Sequence, residues 1–335
     1  MQQIVNWISI LKNKQHSHDQ IILWAKNILS LNRLNTETVV QTPWSSVLKI
    51  STPQGKLYLK QTPPDLFIEV DIIQKCRDLC KITDIPEVIA ENKNLHCFLM
   101  KECGDTTLRT LFDGHLKIDL LIQGLQVYKA MQRATAPHVN AFIQAGVPDW
   151  RLGQFPTLYQ DLVSNEAFLK ANGLEKRQIN TLQNALVSLD TLCQELSSYG
   201  IPDCLNHSDF HDNNMLFSST TKKISIIDLG ETAINHPFFS LAAFLKIPGN
   251  RYKVPIDSTD YQILHDTCFQ GWLSSNEDLQ KALELTEKLL PIYLIFAHMR
   301  LVNATCPIAL GTIPRMNNRV KEAFLWFVKN LNTIR

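Results

Sequence analysis

Two short polar segments near the middle of the chain combine residue types that phosphoryl transfer requires. The first, residues 207–214, reads His-Ser-Asp-Phe-His-Asp-Asn-Asn, and the second begins at Asp228, directly after an apolar run. An aspartate can accept the proton of an attacking hydroxyl, and Asp and Asn offer the hard oxygen ligands that Mg²⁺ prefers. We therefore predict Asp209 as the catalytic base and Asn214 and Asp228 as Mg²⁺ ligands. His207 completes the catalytic set, because we expect it to order the loop through a hydrogen bond to the backbone near Asp228.

A lysine and a glutamate nearer the N-terminus give a second, independent indication. Lys60 ends an apolar, strand-like run, and Glu69 follows on a segment with helical spacing of apolar residues over 66–81. A lysine that binds nucleotide phosphates and is held by a helix carboxylate has this arrangement. Taken alone, the pair favours a surface lysine at the end of a strand and a solvated glutamate on a helix. Together with the downstream segments, the pattern favours an ion pair.

The elements that position these residues fall into two groups. Before about residue 101 the pattern predicts a helix near the N-terminus with a capping box over residues 17–20, three strands, the helix over 66–81 and two further strands. From Thr106 onward the spacing of apolar residues predicts mostly helices, over 107–112, 116–135, 157–170, 175–198, 258–274, 277–302 and 317–334. Only residues 201–230 interrupt them, with loops and a hairpin.

This order predicts an α+β fold with two lobes. Residues 1–101 would form a small nucleotide-binding lobe with an antiparallel sheet, residues 102–105 a hinge, and residues 106–335 a larger, mostly helical lobe that carries the catalytic and acceptor sites. The lysine and glutamate of the small lobe would then face the catalytic loop across the hinge.

The overall composition narrows the classes of partner. The chain has 335 residues, of which 45% are hydrophobic, and its net charge of +1 gives no general attraction to nucleic acid or to an anionic membrane. We find no apolar run long enough to span a bilayer and no basic region typical of a cleaved signal peptide. The eight cysteines form no CxxC pair, so we expect reduced thiols and a cytoplasmic protein.

The motifs as a group resemble the aminoglycoside phosphotransferase and choline kinase family, which has the protein-kinase-like fold. Residues 207–211 with Asn214 resemble its catalytic loop, residues 228–231 its metal loop, and residues 236–241 the segment that follows. Residues 99–104 resemble its hinge, which binds adenine through backbone groups. The resemblance implies ATP or GTP as the phosphate donor, Mg²⁺ as the cofactor, and nucleotide contacts by Met100, Glu102 and Cys103.

Two features depart from the family pattern. Ser208 stands where many members have Gly, and the hairpin expected to cover the nucleotide, residues 39–50, contains no glycine. Glycine normally lets backbone amides approach the phosphates. Here Ser45 and Ser46 could donate their hydroxyls instead, or the hairpin could turn more widely. A nucleotide-binding pseudokinase that acts as an interaction module therefore stays open beside the kinase, as does an enzyme of this fold that modifies a protein or transfers a nucleotidyl group.

The acceptor is expected to be a small hydroxylated molecule bound between the catalytic loop and the C-terminal helices. Residues 231–335 contain nine Asp or Glu and eleven Lys or Arg, which argues against a polycationic aminoglycoside. Several polar or aromatic residues could either line this site or brace the fold: Trp150, Arg151, Glu231, His298 and Arg300. His211 and Asp212 are expected to be structural.

Overall fold

The computed structural model describes residues 18–42, 44–304 and 319–331. The small lobe is an antiparallel sheet in the order β1-β2-β3-β5-β4, with a helix α1 over residues 18–29 and a helix α2. Its elements are β1 (Asn35–Gln41), β2 (Ser46–Thr52), β3 (Gly55–Gln61), α2 (Glu69–Asp78), β4 (Val88–Asn92) and β5 (Cys97–Lys101). The small-lobe strands agree with the predicted ones. The start of the predicted capping box lies outside the described residues.

Alternation along β3 explains why Lys60 can meet α2. Successive side chains of a strand point to opposite faces of the sheet. Leu59 packs with Ile21 and Ala25 of α1 in one small core, whereas Lys60 and its cross-strand partner Phe98 face the other side, where α2 packs. The single-residue offset therefore separates an apolar contact from the ion-pair position.

The large lobe is mostly helical and holds two small sheets. The three-stranded sheet has the order β6-β8-β9, and β7 pairs with β10. The strands are β6 (Thr106–Thr107), β7 (Cys204–His207), β8 (Met215–Phe217), β9 (Ile224–Ile226) and β10 (Thr232–Asn235). The helices are α3 (Leu108–Phe112), α4 (Ile118–Thr135), α5 (Val139–Gln144), α6 (Phe155–Ser164), α7 (Glu166–Ala171), α8 (Lys176–Asn184), α9 (Leu186–Ser198), α10 (Phe238–Tyr252), α11 (Thr259–Phe269), α12 (Asn276–Ala304) and α13 (Arg319–Leu331). Within the described ranges, no helix could cross a membrane.

Two of the predicted long helices are each divided in the structure. The segment 157–170 breaks at Asn165, whose side chain caps α7 by accepting a hydrogen bond from the Phe168 amide at 3.0 Å. The segment 175–198 breaks at Ala185, between α8 and α9. A side chain that competes for backbone donors ends one helix and starts the next. The apolar spacing continues across both breaks, which is why sequence spacing alone predicts single helices.

Helix α10 is absent from the predicted set. Apolar residues lie on nearly every side of its first half, including Phe238, Phe239, Leu241 and Phe244, all fully buried. A helix that is buried all round lacks the one-sided stripe that reveals a helix in a sequence. Pro248 inside the helix further weakens the signal. Strands β7 and β10 are likewise unpredicted, since both are short and buried along their whole length.

Candidate active site

Lys60 lies at the centre of the cleft between the lobes. Its Nζ is 2.6 Å from Glu69 Oε2 and 2.6 Å from Asp228 Oδ1, so it links β3, α2 and the loop after β9. The side chains of Lys60 and Glu69 are only 5% and 2% exposed, whereas that of Asp228 is 35% exposed. Glu69 also accepts a hydrogen bond from the Leu229 amide at 3.2 Å. The expected Lys–Glu ion pair is therefore formed, and Asp228 is brought to it.

Burial and charge act on these three groups in opposite directions. Burial disfavours the charged lysine, but the carboxylates of Asp228 and Glu69 outweigh it and hold the pKa of Lys60 above its ordinary value. Burial raises the pKa of Glu69 despite the attraction of Lys60. For the more exposed Asp228, the attraction of Lys60 prevails over burial and lowers the pKa. A charged lysine beside an ionised Asp228 is the state that a phosphate and metal site requires.

His207, at the end of β7, ties the catalytic loop to the segment after β9 that carries Asp228. Its Nε2 lies 3.0 Å from the Ile227 carbonyl oxygen, and its Nδ1 accepts a hydrogen bond from the Asp209 amide at 3.2 Å. Since Nδ1 accepts, Nε2 carries the proton and donates to Ile227. Burial lowers the pKa of His207, which keeps the ring neutral. The ring spans the loop between Asp209 and residue 227.

Asp209 and Asn214 face one another across the turn of the catalytic loop. The side-chain amide nitrogen of Asn214 donates to the Asp209 carbonyl oxygen at 2.9 Å and lies 3.4 Å from Asp209 Oδ2. His211 Nε2 is 3.3 Å from the same Oδ2. The Asp209 side chain is 50% exposed, so a ligand can reach it. With its amide nitrogen engaged, Asn214 offers its side-chain carbonyl oxygen to a cation.

Asp212 anchors the loop rather than facing the cleft. Its buried carboxylate accepts hydrogen bonds from Arg109 Nε at 3.1 Å and Nη2 at 2.7 Å, and from the Tyr252 hydroxyl. Burial would raise the pKa of Asp212, but these donors together lower it. The loop is thereby fixed to α3 and α10.

A single tyrosine on α4 holds both ends of the segment 207–210. The Tyr128 hydroxyl accepts a hydrogen bond from the His207 amide at 2.8 Å and donates to Ser240 Oγ at 2.8 Å. Its ring stacks on Phe210 with centroids 3.7 Å apart. Gln132, one turn further along α4, donates to Asn206 Oδ1 at 3.0 Å. This buried network positions the loop from below, and no local sequence pattern indicates it.

The loop after β9 is braced by an arginine of α12. Arg300 donates from Nη2 to the Gly230 carbonyl oxygen at 2.8 Å and from Nη1 to the Thr232 carbonyl oxygen. Asp228 itself has a left-handed backbone conformation, with φ of 65°. A side chain at Gly230 would place its Cβ 3.0 Å from the Leu66 carbonyl oxygen, so glycine permits close packing there. Arg300 therefore supports the backbone of the loop that carries Asp228.

The hinge and hairpin residues predicted to contact nucleotide are partly engaged within the protein. Glu102 donates its amide to the Lys56 carbonyl oxygen at 3.3 Å, and the Cys103 carbonyl oxygen accepts from Ser225 Oγ at 3.0 Å. Met100 lies in β5 opposite Tyr58. Ser46 Oγ donates to Gln41 Oε1 at 3.0 Å, while Ser45 is buried at the end of the same hairpin. Nucleotide contacts by these residues stay a prediction.

A cavity of about 870 Å³ opens beside the catalytic loop. Its floor includes Asp209 and His211, its walls are α10, α12 and α13, and Trp44 of the β1–β2 turn reaches its edge. His298 lines it as the sequence allowed. Trp150 does not, because its ring packs against Tyr293 and Phe296 in the core. Sequence reasoning missed the α10 wall together with α10 itself.

The donor set suits a Mg²⁺ ion shared with a nucleotide. The Ile227 backbone amide donates to the backbone carbonyl oxygen of Asn214 at 3.0 Å, which brings Asn214 close to Asp228, the residue that follows Ile227. Among the described residues, no group of three or more His, Cys, Asp or Glu side chains could hold a metal alone. Mg²⁺ commonly binds through one or two protein oxygens plus substrate phosphates and water. Asn214 and Asp228 fit that use.

An antiparallel small lobe, a helical large lobe and a buried Lys–Glu pair beside a catalytic loop define a kinase-like phosphotransferase. The model of the phosphotransferase enzyme family (APH) matches residues 39–272, and the chain belongs to this family. The family resemblance predicted from the sequence is thereby confirmed. No curated protein sequence matches the chain.

Solved structures of low sequence identity share the fold. An ethanolamine kinase from Plasmodium vivax is 11% identical with a TM-score of 0.61, over 93% of this chain and 88% of that one. The choline kinase LicA from Streptococcus pneumoniae is 13% identical with a TM-score of 0.58, over 94% and 99%. The aminoglycoside phosphotransferase APH(2″)-IIa, in a ternary complex with streptomycin and ATP, is 14% identical with a TM-score of 0.57, over 93% and 97%. These similarities confirm the predicted α+β, protein-kinase-like architecture.

Proposed function

We propose that this protein transfers the γ-phosphate of ATP or GTP, with Mg²⁺, to a hydroxyl group of a small molecule. The observation that carries the proposal is the meeting of two sets of groups at one place. Asp209 lines the cavity, and through Asn214 it adjoins the buried Lys60 and Glu69 and the half-buried Asp228. A base facing an acceptor space beside a phosphate and metal site is what kinase chemistry needs.

In this proposal Asp209 orients the acceptor and receives its proton. The hydroxyl oxygen forms a bond to the γ-phosphorus as the bond from that phosphorus to the bridging oxygen breaks. The nucleoside diphosphate leaves with the electron pair, and the hydroxyl proton passes to the Asp209 carboxylate. Asn214 and His211, at 3.4 and 3.3 Å from Asp209 Oδ2, keep that carboxylate pointed at the acceptor. Positioning of this kind supplies much of the catalysis in phosphoryl transfer.

In this proposal Lys60 and the metal ligands bind and neutralise the negative charges of the phosphates. Lys60 binds the nucleotide phosphates while Glu69 holds its side chain in place. Asn214 and Asp228 would hold Mg²⁺, which neutralises charge on the β- and γ-phosphates when bound. His207 keeps Asp209 and residue 227 at a fixed separation through its two ring nitrogens.

A small-molecule acceptor is supported by the size of the cavity and by the relatives. About 870 Å³ lies within the range of small-molecule sites, roughly 300–1,000 Å³. The structural neighbours include kinases of ethanolamine and choline and a phosphotransferase complexed with streptomycin. Each of these compounds is small and hydroxylated.

A pooled screen tests the proposal. Wild-type protein and Asp209→Ala are incubated with Mg²⁺, ATP or GTP and pools of hydroxylated metabolites and aminoglycosides, and nucleoside diphosphate formation is followed. We expect one pool to stimulate turnover by wild type only, with a phosphorylated product identified by mass spectrometry. Nucleotide binding by both proteins, with no turnover above the Asp209→Ala background in any pool, would favour a non-catalytic nucleotide-binding module.

A further inference from the structure

One face of α10 forms the wall of the cavity nearest the catalytic loop. The residues of α10 that line the cavity are spaced at three and four positions: Ala243, Lys246, Ile247, Asn250 and Arg251. This spacing places them along a single side of the helix. The face carries the apolar residues Ala243 and Ile247, with Lys246 between them in the sequence, and the polar Asn250 and Arg251 at its C-terminal end. An acceptor that follows the wall therefore meets hydrocarbon at Ala243 and Ile247 and polar groups at Asn250 and Arg251.

The charges that line the cavity are mostly positive. Its basic side chains are Arg109, Lys246, Arg251 and Arg319, and its acidic ones are Asp209, Glu231 and Glu322. Asp209 is the base that faces the acceptor hydroxyl. Burial, reinforced by Asp209 and Asp228, raises the pKa of Glu231 to about 8, so this carboxyl is largely uncharged at neutral pH. Away from the reacting hydroxyl, Glu322 is thus the remaining acid.

Arg251 differs from the other cations in the way it is partnered. Arg109 donates hydrogen bonds from Nε and Nη2 to Asp212, and Lys246 Nζ lies 3.1 Å from Glu287 Oε2. The guanidinium group of Arg251 has no hydrogen bond or ion pair with another side chain or backbone group in the described part of the chain. It is an exposed guanidinium group that lines the cavity and adjoins Asn250. Such a group is suited to binding a carboxylate or phosphate in a forked geometry.

Arg109 lies near enough to reinforce Arg251. Burial and the hydrogen bond to Asp212 raise the pKa of Tyr252, while both arginines oppose this shift. The positive charges of Arg109 and Arg251 therefore both act on the hydroxyl of Tyr252. Since Arg109 uses Nε and Nη2 on Asp212, its Nη1 remains for a further acceptor. Arg109 and Tyr252 both donate to Asp212, Arg251 directly precedes Tyr252 in α10, and Arg109, Asn250 and Arg251 all line the same cavity.

One of the two tryptophans that line the cavity, Trp326, already binds a cation of the protein. Lys246 Nζ lies over the ring of Trp326 at 4.7 Å from its centroid, and both residues line the cavity. Cation–π binding of an ammonium group by Trp326 would need this ring face. A cationic acceptor would also sit among like charges, which costs binding free energy.

We propose that the acceptor carries an anionic group, a carboxylate or a phosphate, that is bound by Arg251 with Asn250 and Arg109. Its hydrocarbon part packs against the apolar face of α10, and its hydroxyl reaches Asp209. This inference rests on the proposed kinase function and names the class of its acceptor: an anionic hydroxy compound rather than an amino alcohol or an aminoglycoside.

The test compares short hydroxylated acceptors that differ in the charge of their terminal group. Hydroxybutyrate, hydroxybutyramide and aminobutanol supply the acid, the neutral compound and the cation, and the monophosphate ester of butanediol supplies the phosphate arm. Each is assayed for Mg²⁺-dependent phosphate transfer by wild type, Arg251→Gln, Arg251→Lys and Lys321→Gln. Lys321 is on α13 but outside the cavity lining, so its substitution removes the same charge elsewhere.

We expect kcat/KM to favour an anionic compound over the amide by at least about tenfold, since a charge-assisted hydrogen bond contributes roughly 1.5–3 kcal/mol. Arg251→Gln reduces this preference by a similar factor, mainly through KM. Arg251→Lys recovers part of it, and Lys321→Gln leaves the preference unchanged. Better turnover of aminobutanol, or an unchanged preference in Arg251→Gln, overturns the inference while the kinase function stands.

A binding measurement keeps the inference testable without turnover. Thermal unfolding of wild type and Arg251→Gln is followed with rising hydroxybutyrate or inorganic phosphate, in the presence of Mg²⁺ and nucleoside diphosphate. Saturable stabilisation of wild type that weakens about tenfold in Arg251→Gln supports an anion site. Equal stabilisation of both proteins, or none of either, contradicts it. If wild type showed no turnover above that of Asp209→Ala with any acceptor, the result would count against the proposed function and not against this anion site.

Discussion

The two sides of the active-site cleft are built in different ways. On the side where we propose that the phosphates bind, each polar group is held by several partners: Lys60 by two carboxylates, and His207 by bonds from both ring nitrogens. On the acceptor side, helical faces present apolar residues with a few polar ones between them, and the guanidinium group of Arg251 is without a hydrogen bond or ion pair in the described part of the chain. One side is fixed before any ligand arrives, and the other offers groups for a ligand to satisfy.

This difference follows from the chemistry of each side. The triphosphate and its metal require charges at fixed separations, and buried ion pairs hold side chains in one arrangement. Acceptor recognition requires only a surface of suitable shape with a few polar groups at its rim. Substitutions on the phosphate side should therefore change stability and catalysis together, whereas those on the acceptor wall should change affinity with little effect on folding.

The largest expected effect is that of Lys60→Met. It leaves Glu69 and Asp228 facing each other without the cation, so we expect a loss of about 3–5 kcal/mol in the free energy of unfolding and about 10²–10³-fold in kcat. Urea unfolding and phosphate transfer measure the two effects. Adding Glu69→Gln should restore part of the stability and none of the activity. If Lys60→Met unfolded at the same urea concentration as wild type, the proposed difference between the two sides of the cleft would be wrong.

Tyr128→Phe should have an intermediate effect. It leaves the buried His207 amide without an acceptor, and we expect about 1–3 kcal/mol of destabilisation. Because the catalytic loop loses an anchor, kcat should fall roughly tenfold with unchanged nucleotide affinity. Tyr159→Phe is the matched control, since its buried hydroxyl donates to the Leu182 carbonyl oxygen at 2.8 Å, away from the loop. An equal loss of kcat in both variants would mean that the effect of Tyr128 is not one of positioning.

The pH dependence of stability tests the buried start of α10. Burial lowers the pKa of His236 from 6.5 to about 3, so the unfolded chain takes up this proton first as the pH falls. The stabilisation is complete above about pH 6.5 and is lost at up to about 1.4 kcal/mol for each pH unit below it. In wild type, His236 Nδ1 accepts a hydrogen bond from the Phe238 amide at 3.3 Å. The side-chain oxygen in His236→Asn can accept the same hydrogen bond, but it does not titrate in this pH range. The free energy of unfolding of this variant, measured between pH 7 and 5, should approach that of wild type as the pH falls. A constant difference would refute this account of His236.

The smallest expected effect is that of Lys246→Met on the acceptor wall. The pair of Lys246 with Glu287 is 39% and 49% exposed, and such pairs contribute about 0–1 kcal/mol. We expect a free energy of unfolding within about 1 kcal/mol of that of wild type, and an unchanged nucleotide affinity by equilibrium titration. A loss as large as that of Lys60→Met would show that the two sides of the cleft are not built differently.

The phosphate side could be predicted from the sequence because its groups follow short patterns. Asp209 and Asn214 are five residues apart in one loop, and Lys60 and Glu69 are nine apart on adjacent elements. Strand alternation and helical spacing then determine which side of the sheet each residue meets. The small-lobe strands and the β8–β9 hairpin were predictable for the same reason.

The supporting contacts and the acceptor wall could not be predicted because they join distant segments. Arg109 and Asp212 are separated by 103 positions, and Tyr128 and His207 by 79. No local pattern indicates such pairs. Helix α10 was missed because burial on all sides conceals its period, and Lys246 and Arg251 were missed with it. These contacts depend on how distant segments pack together, and the spacing of residues within one segment does not show this.

The most direct test of the central claim is a single-turnover assay with radiolabelled γ-phosphate. Wild type and Asp209→Asn are loaded with labelled nucleotide and Mg²⁺ and then mixed with the acceptor found in the screen. We predict that label passes to the acceptor hydroxyl in wild type, and that Asp209→Asn binds the nucleotide equally but transfers label at least about 10²-fold more slowly. Transfer at the same rate in both proteins would contradict the role of Asp209. Normal nucleotide binding with no transfer by wild type would contradict the kinase assignment itself.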